Sequence, residues 1–124
     1  MEILLVGFGG FLGAISRYVV YVLEKSVLAS RFPIATFSIN ILGCFLAGVL
    51  VSIVEKGSPL SRQVILIGSI GFLGSFTTFS AFSVETLQLA KSGSVLAAVV
   101  NVTSNIVFGI LAVYSGRILS MKFF

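Results

Sequence analysis

The sequence predicts an all-α membrane protein with four transmembrane helices, the third of them broken in mid-span. Three observations carry that expectation. Of the 124 residues, 57% are hydrophobic and only 10% are charged, whereas a soluble domain carries roughly a quarter charged residues to keep its surface wet. Four apolar stretches, about 3–23, 33–54, 63–90 and 95–119, are long enough to cross a bilayer, because ~20 apolar residues span a ~30 Å hydrocarbon core. Within the third stretch, finally, stands Gly71-Phe72-Leu73-Gly74-Ser75-Phe76-Thr77-Thr78-Phe79-Ser80-Ala81-Phe82-Ser83, followed by Glu85. Backbone that leaves the helix inside a membrane has to find partners in protein, in water or in an ion. This run is therefore the first candidate for a functional site.

The first stretch begins with Glu2 instead of a basic run, and no small-x-small cleavage site follows it, so it reads as a span and not as a cleaved leader. A connection from Glu24-Lys25-Ser26 to Arg31-Phe32-Pro33 leads to the second stretch. Glu55-Lys56-Gly57-Ser58-Pro59 leads to the third, and Lys91-Ser92-Gly93-Ser94 to the fourth. Each connection holds the turn-forming residues that the spans lack. Four helices and three short loops account for the sequence as a single transmembrane domain over 1–124. The lone Cys44 excludes an intrachain disulfide, and the absence of histidine excludes His-based proton relays and typical zinc sites. Glu85 and a few hydroxyls are too few reactive groups for a dehydrogenase or hydrolase, so the chain does not read as an enzyme.

Charge placement leaves orientation almost undecided. An alternating path puts Lys56, Arg62, Arg117 and Lys122 on one side, against Lys25, Arg31 and Lys91 on the other, with Arg17 added if it reaches that surface. The positive-inside rule needs an excess of basic residues on one side, and here there is next to none. Either another influence sets orientation, or copies insert both ways and pair head to tail as an antiparallel, dual-topology homodimer. Four helices are too few to enclose a pore easily, which favours the dimer.

Eleven of the thirteen glycines fall inside the spans, which points to close helix packing. Gly9 with Gly13, Gly43 with Ala47 and Gly48 with Ser52 are small-x-x-x-small pairs that let backbones approach where lipid gives no hydrophobic drive. Gly7-Phe8-Gly9-Gly10 lacks the preceding strand and the third-glycine spacing of a dinucleotide loop. At an offset of 61 residues, Gly7, Gly10-Phe11-Leu12-Gly13, Asn40 and Gly48 recur as Gly68, Gly71-Phe72-Leu73-Gly74, Asn101 and Gly109. That echo reads either as a parallel repeat of two helix pairs or as coincidence in a Gly- and Phe-rich chain.

Polar side chains at membrane depth are costly and face protein interior or a wet cavity. Arg17 either snorkels to the headgroups or raises the anion concentration in a vestibule. Thr36 and Asn40 lie one turn apart on the second helix. Asn101, Asn105 and Gly109 repeat every fourth residue on the fourth, with Thr103 and Ser104 nearby, so the amides form a stripe along one helix face. Such a stripe makes interhelical hydrogen bonds or lines a hydrated track. Phe72, Phe76, Phe79 and Phe82 recur at helical spacing on the third. A phenylalanine stripe is ordinarily packing, yet ring edges are positive. Set beside hydroxyls and amides, they can help hold a small anion that has shed part of its water.

Over its whole length the chain resembles the Fluc (CrcB) family of fluoride channels. The matching stretches are Gly9-Gly10-Phe11-Leu12-Gly13-Ala14-Ile15-Ser16-Arg17-Tyr18, Asn40-Ile41-Leu42-Gly43-Cys44-Phe45-Leu46-Ala47-Gly48 and the run from Gly71 to Glu85. The Thr-Thr-Phe-Ser-x-Phe segment after a glycine break is the most specific. The resemblance implies a dual-topology homodimer whose antiparallel subunits form two fluoride pores. It implies a structural sodium ion at the dimer centre, not transported, held by the main-chain carbonyls of Gly74 and Thr77 of both copies. It implies that Phe79 and Phe82 line the narrow part of each pore, that Asn40 and Arg17 are the pore-lining asparagine and the arginine of the first helix, and that Thr78, Ser80 and Glu85 continue the polar track. One departure stands out. Where many members carry a tyrosine and then a serine on the fourth helix, this chain aligns Asn101 and Asn105, and amides donate and accept as hydroxyls do.

The implied mechanism is passive. Fluoride enters a vestibule biased positive by Arg17, exchanges water for polar donors, and passes the edges of Phe79 and Phe82, exporting a toxic ion down its gradient across the cell membrane. Two other readings compete: a small dual-topology proton-coupled multidrug transporter, which needs a carboxylate embedded in the first helix where this chain has only Glu2, and a non-transporting membrane subunit.

Overall fold

In hydrocarbon each peptide group has to be satisfied within its own segment or by a protein neighbour, and all four apolar stretches accordingly wind into helices. The structure, a computed structural model, describes residues 1–27, 32–57, 59 and 61–123. Helix α1 is Glu2–Val27 and α2 is Ile34–Glu55. The third span has two parts. The first, α3, is three consecutive helical stretches, Ser61–Gln63, Val64–Leu73 and Gly74–Phe76; the second is α4, Phe79–Lys91. The fourth span is α5, Val95–Phe123. No strand occurs among the described residues. All four spans are long and apolar enough to cross a membrane, so the chain is a multi-pass membrane protein. Arg31 and Ser58, in the first two connections, lie outside the described residues.

The helices outrun the apolar windows. Helix α1 continues through Glu24 and Lys25, and α5 runs to Phe123. Hydropathy marks the edge of the hydrocarbon, whereas the helix continues into the interface with its charged side chains reaching water. What ends α2 and α4 is glycine in the left-handed region, Gly57 at φ 68° and Gly93 at φ 83°. There Gly57 N donates to Val54 O at 3.0 Å, and Ser94 N donates to Leu89 O at 3.0 Å, closing carbonyls that the helix leaves open.

The sequence reading did not foresee the winding of the middle of α3. Val64–Leu73 is a π-helix of 10 residues, where i→i+5 bonding normally survives only as single-turn bulges. Its wide turn lies along α1, with Gly13 facing the Phe72 carbonyl so closely that a Cβ there would collide with it. The second tight seam joins α2 to α5. Gly48 meets the Val113 carbonyl, Gly116 meets that of Phe45, and Phe37 sets its ring edge-on to Phe108 at 6.1 Å and 88°. Of the small-residue pairs read from sequence, Gly9 with Gly13 serves the α1–α3 contact and Gly48 the α2–α5 contact. Gly10 and Gly71, equivalent under the 61-residue offset, lie against one another.

The buried set is as polar as it is apolar. Ala35, Ile39, Leu73, Phe76 and Ala98 are buried together with Thr36, Ser52, Thr78, Asn101 and Ser120. A membrane protein presents its hydrophobes to lipid and hides its polar groups between helices. At one end Glu2 pairs with Arg62, Arg117 Nε lies 3.0 Å from Glu55 Oε2, and Lys56 Nζ donates to Met121 O at 3.4 Å. Amino terminus, second connection and carboxyl-terminal helix thus share one side, as alternating spans demand. Exposed pairs of this kind add little stability, but here they set an acid against two of that side's basic residues.

Gly48→Ala should lower thermal stability in detergent, because the added methyl meets backbone; overpacking of this kind costs about 1–3 kcal/mol. Gly7→Ala, with open space around Gly7, should leave the melting temperature unchanged. Equal melting of the two variants would remove the α2–α5 seam as a close contact.

Candidate functional site

Two consecutive threonines interrupt the third span. Thr77 sits at φ −76°, ψ 159° and Thr78 at φ −151°, ψ 117°, both extended. Thr78 N–H leaves its helical acceptor, the Gly74 carbonyl, and donates to Asn40 Oδ1 at 3.0 Å. Asn40 Nδ2 returns the bond, donating to Thr78 O at 3.2 Å. One primary amide thereby closes on both polar groups of one peptide residue. Thr78 then caps α4, its Oγ1 accepting from Ala81 N at 3.2 Å, the standard remedy for an orphaned first-turn donor. Because Ala81 N–H is engaged there, the Thr77 carbonyl also loses its helical donor. Arg17 Nη1 approaches that carbonyl instead, at 3.4 Å. Arg17 is half-buried and turns inward to the break instead of adding to the basic residues of the outer surface.

The asparagine stripe on α5 continues the Asn40 contact. Asn40 Nδ2 lies 3.5 Å from Asn105 Oδ1. Asn105 Nδ2 donates to Asn101 O at 2.8 Å and to Asn101 Oδ1 at 3.1 Å, and Asn101 Nδ2 donates to Thr86 Oγ1 at 2.9 Å. Thr86 itself donates to Phe82 O at 2.7 Å. Donor directions are therefore fixed all along the ladder, since a hydroxyl has a single proton and the Thr86 proton is already committed. The ladder grips α4 at Thr78 and again at Thr86, and Phe79 and Phe82 lie between the two grips.

The four phenylalanines do not form one stripe. The extended residues cut it into two pairs. Phe72 and Phe76 stack at 5.4 Å on α3, and Phe76 is buried; Phe79 and Phe82 meet at 5.6 Å, tilted by 41°. Phe79 is 79% exposed although it stands in the middle of the span. Beside it Ser80 is exposed, and the Ser80 and Thr78 hydroxyls share one hydrogen bond at 3.2 Å. That bond uses one of their two protons and leaves the other to point at an acceptor.

Around the break opens a groove of about 440 Å³ whose walls include Asn40, Gly43, Gly74, Thr77, Thr78 and Phe79. Gly74 and Thr77, whose carbonyls have lost their helical donors to Asn40 and to the Thr78 hydroxyl, are among its lining residues. Neutral carbonyl oxygens suit a hard cation such as sodium. No cluster of His, Cys, Asp or Glu suited to a metal ion occurs among the described residues.

Glu85 lies apart from this groove. Thr36 Oγ1 donates to Glu85 Oε1 at 2.7 Å, so the Tyr21 hydroxyl, 2.9 Å from Thr36 Oγ1, is the donor in that second bond. Glu85 Oε2 is buried and has no protein partner. Glu85 lines two further cavities of about 390 and 350 Å³ near Pro33. Thr86 and Tyr21 escaped the sequence reading. For Thr86 the missed signal is its i+4 spacing from Phe82 on the face that meets the amides; for Tyr21 no local signal exists, since its partner is on α2.

The sequence profile of the family described as "CrcB-like protein, Camphor Resistance (CrcB)" matches residues 4–117. A relative from Saccharophagus degradans is 46% identical over 122 residues, covering 96% of this chain and 89% of the relative. One from Azobacteroides pseudotrichonymphae is 42% identical over 122 residues, covering 98% of each chain. A third, from Ruminiclostridium cellulolyticum, is 42% identical over 120 residues, with 97% and 92% covered. All three bear the name fluoride-specific ion channel FluC.

Thr78→Ala should speed hydrogen exchange at the Ala81 amide several-fold, as for the loss of about 1 kcal/mol of capping, and Thr78→Ser should restore protection. Unchanged exchange in the alanine variant would mean that the hydroxyl does not hold the start of α4.

Proposed function

This chain belongs to the CrcB-like family, and on that premise we propose that it is a passive fluoride channel that lets a toxic ion leave the cytoplasm down its gradient. It acts as an antiparallel homodimer of dual topology with a structural sodium ion at its centre. The observation that carries this reading is the exposed Phe79 ring beside the Thr78–Ser80 hydroxyl pair at a break in mid-span. A ring edge with a free hydroxyl proton is a site for a small hard anion, and a single copy leaves that site open on one side.

A second copy supplies the missing wall. The groove at the break is lined by small residues and by Phe79, and two copies related by an axis in the membrane plane would meet there. The nearly even distribution of basic residues lets both orientations insert. Fluoride, drawn in past Arg17, exchanges water for the Ser80 and Thr78 hydroxyls and passes the edges of Phe79 and Phe82. Asn40, Asn101 and Asn105 form the inner wall of the track, and Glu85 sits farther along α4. Selectivity comes from a passage whose donors match the smallest halide. The carbonyls of Gly74 and Thr77, the second of them also approached by Arg17, two from each copy, are the groups that would hold sodium. A cation held there would offset the negative potential of these carbonyls.

A proton-coupled multidrug transporter is less well supported: Glu2, the sole carboxylate in the first half of α1, is paired with Arg62 at the helix end, away from any embedded site. The non-transporting subunit leaves the open hydroxyl donor without a role.

Purified protein in liposomes should release fluoride without a proton gradient and retain chloride; fluoride-tight vesicles would refute the channel. Phe82→Ile should cut fluoride flux by about 1–3 orders of magnitude while the dimer stays assembled, on the scale of losing ~1–4 kcal/mol of stabilisation in the passage. Replacing sodium by a large organic cation during purification should weaken dimer assembly or flux, and indifference to that exchange would remove the carbonyl site.

A further inference from the structure

We propose that Thr86 is a positioning residue that fastens the Phe82 turn of α4 to α5 through Asn101, and so holds the Phe82 ring in the passage. This inference rests on the channel reading above and deepens it. Within one copy α4 buries none of its residues, and in lipid an apolar face gains little by packing. Side-chain hydrogen bonds therefore do much of the holding. Beyond the cap at Thr78, two adjacent residues supply them in different directions. Glu85 Oε1 accepts from Thr36 on α2 at 2.7 Å, and Thr86 Oγ1 accepts from Asn101 Nδ2 on α5 at 2.9 Å. The second bond also reaches Phe82. The Thr86 hydroxyl donates to the Phe82 carbonyl, one turn back, at 2.7 Å, and Phe82 sets its ring against Phe79 at 5.6 Å.

The polarity of this junction is fixed from both ends. Asn105 Nδ2 spends its two N–H groups on Asn101, one on the main-chain oxygen at 2.8 Å and one on Oδ1 at 3.1 Å. A main-chain carbonyl only accepts, so Asn105 cannot turn its amide over. Asn101 then has to keep Oδ1 toward Asn105 and present Nδ2 to α4. At 1% exposed, it cannot pass that N–H to bulk water. What answers it must be an acceptor whose own proton points elsewhere. Thr86 meets the condition, because a hydroxyl has a single proton and this one goes to Phe82 O. Valine keeps the shape of threonine without the hydroxyl. At position 86 it would leave the Asn101 N–H buried and unanswered, and α4 would lose its bond to α5 one turn from the ring.

Two measurements test this on the full-length protein in liposomes. Fluoride flux is recorded for the wild type, Thr86→Val and Thr86→Ser. Fluorine NMR then follows a ring-fluorinated phenylalanine placed at position 82 or, as a reference on α3, at position 76. Thr86→Val should carry fluoride about fivefold more slowly or worse, the scale of leaving a buried donor unpaired. Its position-82 resonance should shift or broaden while that at position 76 stays in place. Thr86→Ser keeps the hydroxyl and should restore both flux and resonance. Asn101→Ala removes the same bond from the other side and should move the position-82 resonance as well. Because Thr86 acts through Asn101, adding Thr86→Val to Asn101→Ala should not move it further, whereas independent effects would add. Thr86→Val flux within about twofold of wild type would overturn the proposal. So would flux loss with the position-82 resonance unmoved, or a serine variant that restores neither. Should Thr86→Val fail to assemble, Asn101→Ala decides: a displaced resonance sustains the proposal and an undisturbed one overturns it. A wild type that carries no fluoride would instead sink the channel reading, while the ring resonances would still report on the Thr86 contact.

Discussion

A peptide group in the middle of a bilayer has no water to turn to, so a span that unwinds there must be completed by side chains from its neighbours. Thr77 and Thr78 impose that requirement on the rest of the molecule. Asn40 reaches across from α2 to satisfy Thr78, Arg17 approaches the Thr77 carbonyl from α1, and Thr78 caps the helix it begins. All three earlier helical segments therefore converge on one point. The amides of α5 then brace the clamp from the far side. The polar contacts around the break answer to these two residues, while Thr36, Ser52 and Ser120 are buried without bonding to them.

Reaching the break demands that backbones come close, and glycine sets that distance. Gly13 lets α1 lie against the wide π-helical turns of α3, and Gly48 lets α2 lie against α5. The first contact positions Arg17, one turn beyond Gly13; the second brings Asn40 within reach of Asn105. In lipid, where apolar side chains gain nothing by leaving their surroundings, such small-residue seams do the assembling. The same packing leaves a concavity open at the break, and Gly74, Thr77, Thr78 and the exposed Phe79 are grouped in its lining.

Much of this was legible in the residue order. Composition and span length give the four helices, and the Gly71–Glu85 run marks the interruption. The i, i+4 spacing of Asn101 and Asn105 announces a polar ladder, and the matching motifs of three spans identify the family. What local pattern could not give depends on partners distant in sequence. The position of the break, after Phe76 and not at a glycine, follows from the Asn40 contact across 38 residues. The apparent phenylalanine stripe assumes continuous helical winding, which the extended threonines remove. The π-helix leaves no mark in a hydropathy profile, because an all-apolar stretch looks alike at any number of residues per turn. Arg17 reads as a surface charge only while its acceptor at Thr77 is unknown.

The order of the clamp and the peptide it holds has a consequence for biogenesis. Ribosomal synthesis is vectorial, so α2 with Asn40 is delivered before Thr78 emerges, and the interrupted span enters an environment that already contains its partner. Were the chain permuted so that this asparagine came last, the nascent segment would face the bilayer with its peptide groups unanswered, an invitation to stall at the translocon or to be cleared by quality control. The amides of the fourth span, Asn101 and Asn105, are synthesised last, after both the asparagine and the peptide it holds.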